Sequence, residues 1–321
     1  MLLYDDVIEE YRDFATYAAG DSPCFEEWAL GVAADQEVLA WVAMLPPIKR
    51  QPNLVFAAAR WHGVAAPGPY AGLRAALLDD AGPLRETILT RATQTNEVGR
   101  LATLAPVLGL LEGPLALVEV GASAGLCLHP DRYDYAWPPL GALVGSGGAV
   151  LSAEAAGALP IPARHPEVAW RGGVDLNPLD VADADAMAWL ENLVWPEQDE
   201  RRERLRAAIG VARGEPPVLR RGDLLEELPA LVDEASAHGT PVVFHSAVIA
   251  YLDDPDRRRF HASMADLVAA GRCRWISNEG PRVLPEVTGG LEVPRGRFVT
   301  ALDGVPVALS HGHGHAIEWL S

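Results

Sequence analysis

The sequence predicts an α/β protein: a doubly wound, Rossmann-like, mostly parallel sheet with a C-terminal antiparallel hairpin, preceded by an N-terminal helical domain. Three observations predict it. Over residues 1 to about 111, apolar residues recur at steps of three and four, the helical period. From residue 115 onward, short β-branched apolar runs alternate with helical patterns, as a parallel sheet covered on both faces requires. Near the end, Asp303-Gly304 between two apolar runs is a strong hairpin signal. The implied domains are a helical one over residues 1–111 and a sheet domain over residues 112–321, the latter with an insertion at about residues 128–167.

The elements follow in order. Ile8, Tyr11, Ala15 and Ala18 share one face of a first helix. Ser22 before Pro23, with Glu26 and Glu27 in the next turn, has the cap, proline and acidic bias of a helix start, and Pro46-Pro47 ends that segment. Helices are expected over residues 52–60, stopped near Gly63, and 70–79, before Gly82 and Pro83. A last helix should begin in Gln94-Thr95-Asn96-Glu97, capped by Asn96, and carry Leu101, Leu104, Leu108 and Leu111 inward. Its polar first turn has two readings: Asn96, Glu97 and Arg100 face a substrate pocket, or Asn96 caps while Glu97 and Arg100 form an exposed ion pair.

LALVEVGASAG, residues 115–125, is the centre of the chain. It reads as a buried strand turning sharply into a helix, with Gly121 and Gly125 permitting close backbone approach and the helix N-terminus offering free amides to a ligand. Ser123 replaces the middle glycine of the dinucleotide fingerprint, which disfavours a nicotinamide-dependent oxidoreductase. Further strands are expected over residues 168–174, ending at Asp175; 217–221, ending at Gly222-Asp223; 242–244, leading to His245-Ser246; and 274–277. Helices are expected over residues 183–195, 200–213 and 256–270, with Pro196 breaking the first two, and the hairpin strands over residues 297–302 and 305–310.

Composition narrows the partners. Twenty-six basic against 44 acidic residues give a net charge of -18, which repels a nucleic-acid backbone and an anionic membrane surface alike. Cys24, Cys127 and Cys273 suit neither a disulfide framework nor a structural zinc site. The N-terminal residues carry acids where a signal peptide needs cations, and Glu112, Gly113, Pro114 and Glu119 interrupt the most apolar stretch, so a cytoplasmic protein without a membrane span is expected.

Ligands of open α/β sheets bind at the carboxyl ends of the strands, where the strand order reverses. Here those ends carry Glu119-x-Gly121, Asp175, Asp223 and His245-Ser246. This constellation resembles class I S-adenosylmethionine-dependent methyltransferases: E-x-G-x-S-x-G is similar to their first motif, GGVDLNP at residues 172–178 to their second-strand acidic motif, and RGDLLEELP at residues 221–229 to their third. GASAGL, TQTNEVGR, VWPEQDERR, VVFHSAVIAYL and ISNEGPR together resemble an uncharacterised bacterial family, a domain of unknown function distantly related to those methyltransferases, over nearly the whole chain.

The resemblance implies S-adenosylmethionine as cofactor and a small-molecule acceptor, with the helical domain covering the acceptor side. Glu119 would approach the cofactor's ammonium group; Gly121, Ala122, Ser123 and Gly125 would let its amino-acid end pass close to the backbone. Asp175 would accept both ribose hydroxyls, and Asp223, beside Leu224, would take the adenine amino group, with His245 and Ser246 also lining the site. Helix capping is the competing reading of Asp175 and Asp223. Asp175 lies 56 positions beyond Glu119, against about 20 in the usual spacing, so residues 128–167 must be an insertion; if Asp134 ended the second strand instead, the ribose assignment to Asp175 would be wrong.

Methyl transfer is a displacement in which positioning does much of the work, and a hydroxyl acceptor also needs a base. His245, Tyr251 and Glu279 are the candidates, His245 being equally readable as a hydrogen-bonded wall of the pocket. His311, His313 and His315 alternate with glycines and read as a polar turn in preference to a metal site. Arg201, Arg202, Arg204 and Arg206 read as a solvated helix face. The alternative to an enzyme is a binding or regulatory protein that keeps the fold without catalysis.

Overall fold

The computed structural model describes residues 6–94 and 96–320. Among the described residues six α-helices come first: α1 (Val7–Ala18), α2 (Pro23–Ala34), α3 (Gln36–Ala43), α4 (Pro52–Trp61), α5 (Tyr70–Leu78) and α6 (Pro83–Thr90). A single 3-10 turn at Val98–Arg100 leads into α7 (Leu101–Leu108), and later come α8 (Ala184–Leu193) and α9 (Asp199–Gly214). The chain divides into two compact units, Met1–Thr95 with Ala184–Arg206, and Asn96–Asp183 with Ala207–Ser321.

This division differs from a boundary at residue 111 for a physical reason at each end. α7 belongs to the second unit, where all eight of its residues are buried and Trp137 Nε1 donates to the Ala102 carbonyl at 2.7 Å. Residues 184–206 belong to the first because Trp189 and Trp195 are buried in its core.

The helical unit is held by aromatic packing. Phe25 lies 5.1 Å from Phe56 (edge-on), 5.6 Å from Trp28 (stacked) and 5.9 Å from Trp195 (tilted), centroid to centroid. Ser22 caps α2 by accepting from the Phe25 amide, as its sequence context predicts. Glu197 joins that helix start, accepting from the Ser22 hydroxyl and from the Cys24 amide at 2.9 Å. Asp35 interrupts the single helix expected over residues 22–46, because its carboxyl caps α3 through the Glu37 and Val38 amides.

The second unit carries two sheets. Its strands are β1 (Leu115–Val120), β2 (Asp134–Trp137), β3 (Gly141–Leu143), β4 (Val150–Ser152), β5 (Glu154–Ala156), β6 (Val168–Asp175), β7 (Val218–Arg221), β8 (Thr240–Ser246), β9 (Arg274–Glu279), β10 (Arg297–Leu302), β11 (Val305–His311) and β12 (Ala316–Trp319). Among the described residues the large sheet has nine strands in the order β5-β12-β11-β10-β9-β8-β1-β6-β7. The run β9-β8-β1-β6-β7 is wholly parallel. Strand order reverses between β1 and β8, so that the crevice beyond their carboxyl ends is where an open sheet takes a ligand.

The connecting helices are α10 (Leu224–Ser236), α11 (Asp254–Ala269) and the short α12 (Pro285–Thr288). Ala116, Val118 and Val120 of β1 pack in one core with Leu228, Leu231, Phe260 and Met264 of α10 and α11. Alternation then puts Leu117 and Glu119 on the opposite face.

The insertion forms a small sheet, β3-β2-β4, and contributes β5 to the edge of the large one, pairing parallel with β12. Asp134 opens β2 in that small sheet, and the strand beside β1 is β6, which ends at Asp175. The expected helix after the glycine turn does not form. Gly125 is left-handed at φ 68° and Pro130 blocks continuation, leaving single 3-10 turns at Leu126–Leu128 and Pro130–Arg132.

Candidate functional site

The turn after β1 is closed to ligands at its amides. Gly121 and Ala122 N–H donate to the Val174 carbonyl, Ser123 N–H to Asp175 Oδ2 at 2.8 Å, Ala124 N–H to Asn96 Oδ1 at 3.1 Å, and Gly125 N–H to the Ala122 carbonyl. Without free amides or a following helix N-terminus, the turn is no anion cradle, contrary to the sequence expectation. The glycines serve the fold: Gly121 is at φ 69°, and a Cβ there would lie 2.6 Å from the Val248 side chain; one on Gly125, at φ 68°, would lie 2.6 Å from Pro217.

What remains open at this turn is carboxyl chemistry. Glu119, at the end of β1, is half-buried, and its Oε2 is enclosed without a hydrogen-bond partner. Burial, together with the neighbouring Asp175 carboxyl, pushes Glu119 well above the ordinary carboxylate range, with Arg100 opposing. Asp175 accepts one backbone amide on each oxygen, Ser123 on Oδ2 and Asn177 on Oδ1 at 2.7 Å, which leaves further lone-pair directions on both.

Two of the polar residues ahead of α7 reach the same strand ends. Asn96 donates to Ser123 Oγ at 2.8 Å while accepting from Ala124, so it ties the turn down and caps nothing. Arg100 donates from Nε to the Gly312 carbonyl and from Nη1 to the Ser246 carbonyl, both at 2.8 Å. Glu97 is buried, accepting from the Gly99 amide at 3.0 Å, and therefore lines no open pocket wall. Thr95 falls outside the described residues.

Asp223 is exposed and caps α10 through the Leu225 amide at 2.8 Å, with Leu224 half-buried beside it. His245 is fully buried in the layer under α11, its ring 5.2 Å from Phe260. Both ring nitrogens are engaged: Nδ1 with Glu279 Oε1 at 2.8 Å, and Nε2 with the Trp275 indole N–H at 3.1 Å. Glu279 is 3% exposed, whereas Tyr251 is 78% exposed on the surface.

Sequence reading named Ser123 but not its conformation, and missed Ala247 and Asn278, which also shape this end of the sheet. Ser123 and Ala247 are left-handed at φ 50° and 57°, at the ends of β1 and β8 on either side of the reversal, a conformation unusual for residues with a Cβ and concentrated at functional sites. Asn278 is fully buried; it donates to Ser246 Oγ and accepts from the hydroxyls of Thr300 and Ser310. Three successive polar residues at the end of a strand, Ser277-Asn278-Glu279, were the signal for it. His311 ends β11 and His313 and His315 sit in the turn that follows, ring centroids 5.1 to 6.3 Å apart. Among the described residues no group of three or more His, Cys, Asp or Glu is arranged to hold a metal ion, and no helix is long and apolar enough to cross a membrane.

No curated protein and no solved structure matches the chain. A family model does, over residues 8–319, and it spans both units and every residue of the site. The chain belongs to the family described as "Uncharacterized protein conserved in bacteria (DUF2332)".

Proposed function

We propose that the sheet unit binds S-adenosylmethionine at the carboxyl ends of β1, β6 and β8 and transfers its methyl group to a small-molecule acceptor, within a Rossmann-like methyltransferase fold. One observation carries the reading: at the point of strand reversal, Glu119 holds a carboxyl without a protein partner beside a glycine turn whose amides are all taken. A site of carboxyls without amides suits a ligand with a cationic end and disfavours a pyrophosphate. Glu119 would receive the ammonium group, Asp175 the ribose hydroxyls through its remaining lone pairs, and Arg100, already fixed by two carbonyls, the amino-acid carboxylate.

S-adenosylmethionine supplies an electrophilic methyl carbon when bound. The chain's contribution is positioning, since the His245 nitrogens are both occupied and Tyr251 is exposed. That suits an acceptor with its own lone pair, such as an amine. The same closed histidine favours a second reading, a binding or regulatory protein that keeps the cofactor without transferring its methyl group.

Calorimetry with S-adenosylmethionine, S-adenosylhomocysteine and NAD decides the matter. Micromolar binding, on the order of -8 kcal/mol, is expected for the first two and none for NAD. Glu119→Gln should lose about 1.5 to 3 kcal/mol of that binding while remaining folded. No binding at millimolar ligand overturns the proposal, and binding without methyl consumption across an acceptor panel selects the second reading.

A further inference from the structure

We infer that His245 and Glu279 form a positioning pair that fixes the loop after β8 against the glycine turn, not a proton-transferring couple. The geometry is closed on every side. The Trp275 indole can only donate, so His245 Nε2 accepts at 3.1 Å, and the ring proton lies on Nδ1, pointed at Glu279 Oε1 at 2.8 Å. A ring held in this way has no lone pair to offer a substrate. The same Glu279 Oε1 also accepts the amides of Val248 at 2.9 Å and Ile249 at 3.1 Å, while Oε2 is buried without a partner. One oxygen thus gathers three donors, and two of them belong to the segment that leaves β8 through left-handed Ala247.

That segment bears directly on the site. Val248 fills the space above Gly121, where a Cβ would lie 2.6 Å from its methyl groups. On the other face of β8, Arg100 holds the Ser246 carbonyl and Asn278 holds Ser246 Oγ at 2.9 Å, so the strand end is pinned from both sides of the sheet. Pinning from both sides keeps Ala247 in its costly conformation, and the Trp275–His245–Glu279 relay is the half that reaches Val248. The effect on ligand affinity rests on the proposed cofactor site; the geometry of the relay does not.

The test uses the full chain. In nitrogen NMR of histidine-labelled protein, His245 should show a single tautomer with the proton on Nδ1; a proton on Nε2 would overturn the inference. Glu279→Leu, which removes the shared acceptor, should speed hydrogen exchange at the Val248 and Ile249 amides and weaken S-adenosylhomocysteine binding, each by about tenfold or more. Glu279→Gln keeps an oxygen for the same three donors and should stay within about threefold of the native protein in both measurements. A Gln variant as impaired as the Leu variant would mean that the carboxyl's charge or proton is used, and would sink the positioning role. Unchanged exchange in Glu279→Leu would sink it as well. If the Leu variant fails to fold, the tautomer and the Gln variant decide alone. Native protein that does not bind S-adenosylhomocysteine removes the cofactor proposal, while the tautomer and exchange results still judge the pair.

Discussion

The helical unit and the sheet unit differ in where buried polarity is left unpaired: in the first it includes the Tyr11 hydroxyl, in the second it includes carboxyl oxygens at strand ends. In the first, Trp28, Trp189 and Trp195 sink their rings into one aromatic core and still pair their indole N–H groups, with Gly68, Ala92 and Asn53 respectively. In the second, Glu119 and Glu279 each keep an enclosed oxygen without a partner, and His129 keeps both ring nitrogens so. The described left-handed residues other than glycine, Ser123, Ala247 and Asp303, also lie in the second unit, two of them at the ends of strands that flank the reversal. Strain and enclosed carboxyl oxygens thus gather at the strand ends of the sheet unit, which is the pattern the proposed ligand site requires.

Substitutions should separate the two behaviours. The largest expected loss is in the helical unit: Trp195→Ala empties a well-packed aromatic site and frees Asn53, and should cost about 3 to 5 kcal/mol in chemical denaturation. Gly121→Val should follow at about 3 kcal/mol, since the new side chain needs the left-handed region and the space of Val248. Near-native stability in that variant would show that the turn can relax and that the glycine is kept for a ligand.

His129 should make the sheet unit sensitive to acid. Burial and the nearby Arg171 guanidinium hold its imidazole down at about 4. The unfolded chain takes up that proton first, so the stability is complete above the ordinary histidine value of about 6.5 and is lost as the pH falls from there towards 4, to a ceiling of about 3 kcal/mol. Denaturation curves at pH 7 and pH 5 measure it, and His129→Phe should flatten the difference. Asp223→Ala should be smallest, about 1 kcal/mol for a lost cap, with cofactor binding unchanged. A binding loss there would restore Asp223 to the adenine end of the site.

The pattern of hydrophobic residues made much of this legible. The period of three and four marked α1, with Tyr11, Ala15 and Ala18 buried, and Asp303-Gly304 marked the hairpin between β10 and β11 to the residue. The strand ends Glu119, Asp175 and Ser246 were legible because an apolar run that stops at a polar residue stops at the edge of the core. Glu97 and Asp223, read from the sequence as ligand contacts, accept from their own neighbouring backbone amides. A polar residue at a turn can face a ligand or satisfy its own backbone, and the composition of the turn is the same in both cases.

The sequence by itself determined the parallel strands β1, β6, β7, β8 and β9, the hairpin of β10 and β11 and the acidic strand ends, because these follow from local periodicity and from residues that end buried runs. Tertiary structure alone decided that α7 sides with the sheet and residues 184–206 with the helices, that every amide of the glycine turn is spent, and that His245 faces Trp275 and Glu279. Each of these depends on which distant group arrives at hydrogen-bond distance. Asn96 meets Ser123 across 27 positions and His245 meets Glu279 across 34, separations at which no local propensity acts and only the packed sheet chooses the partner.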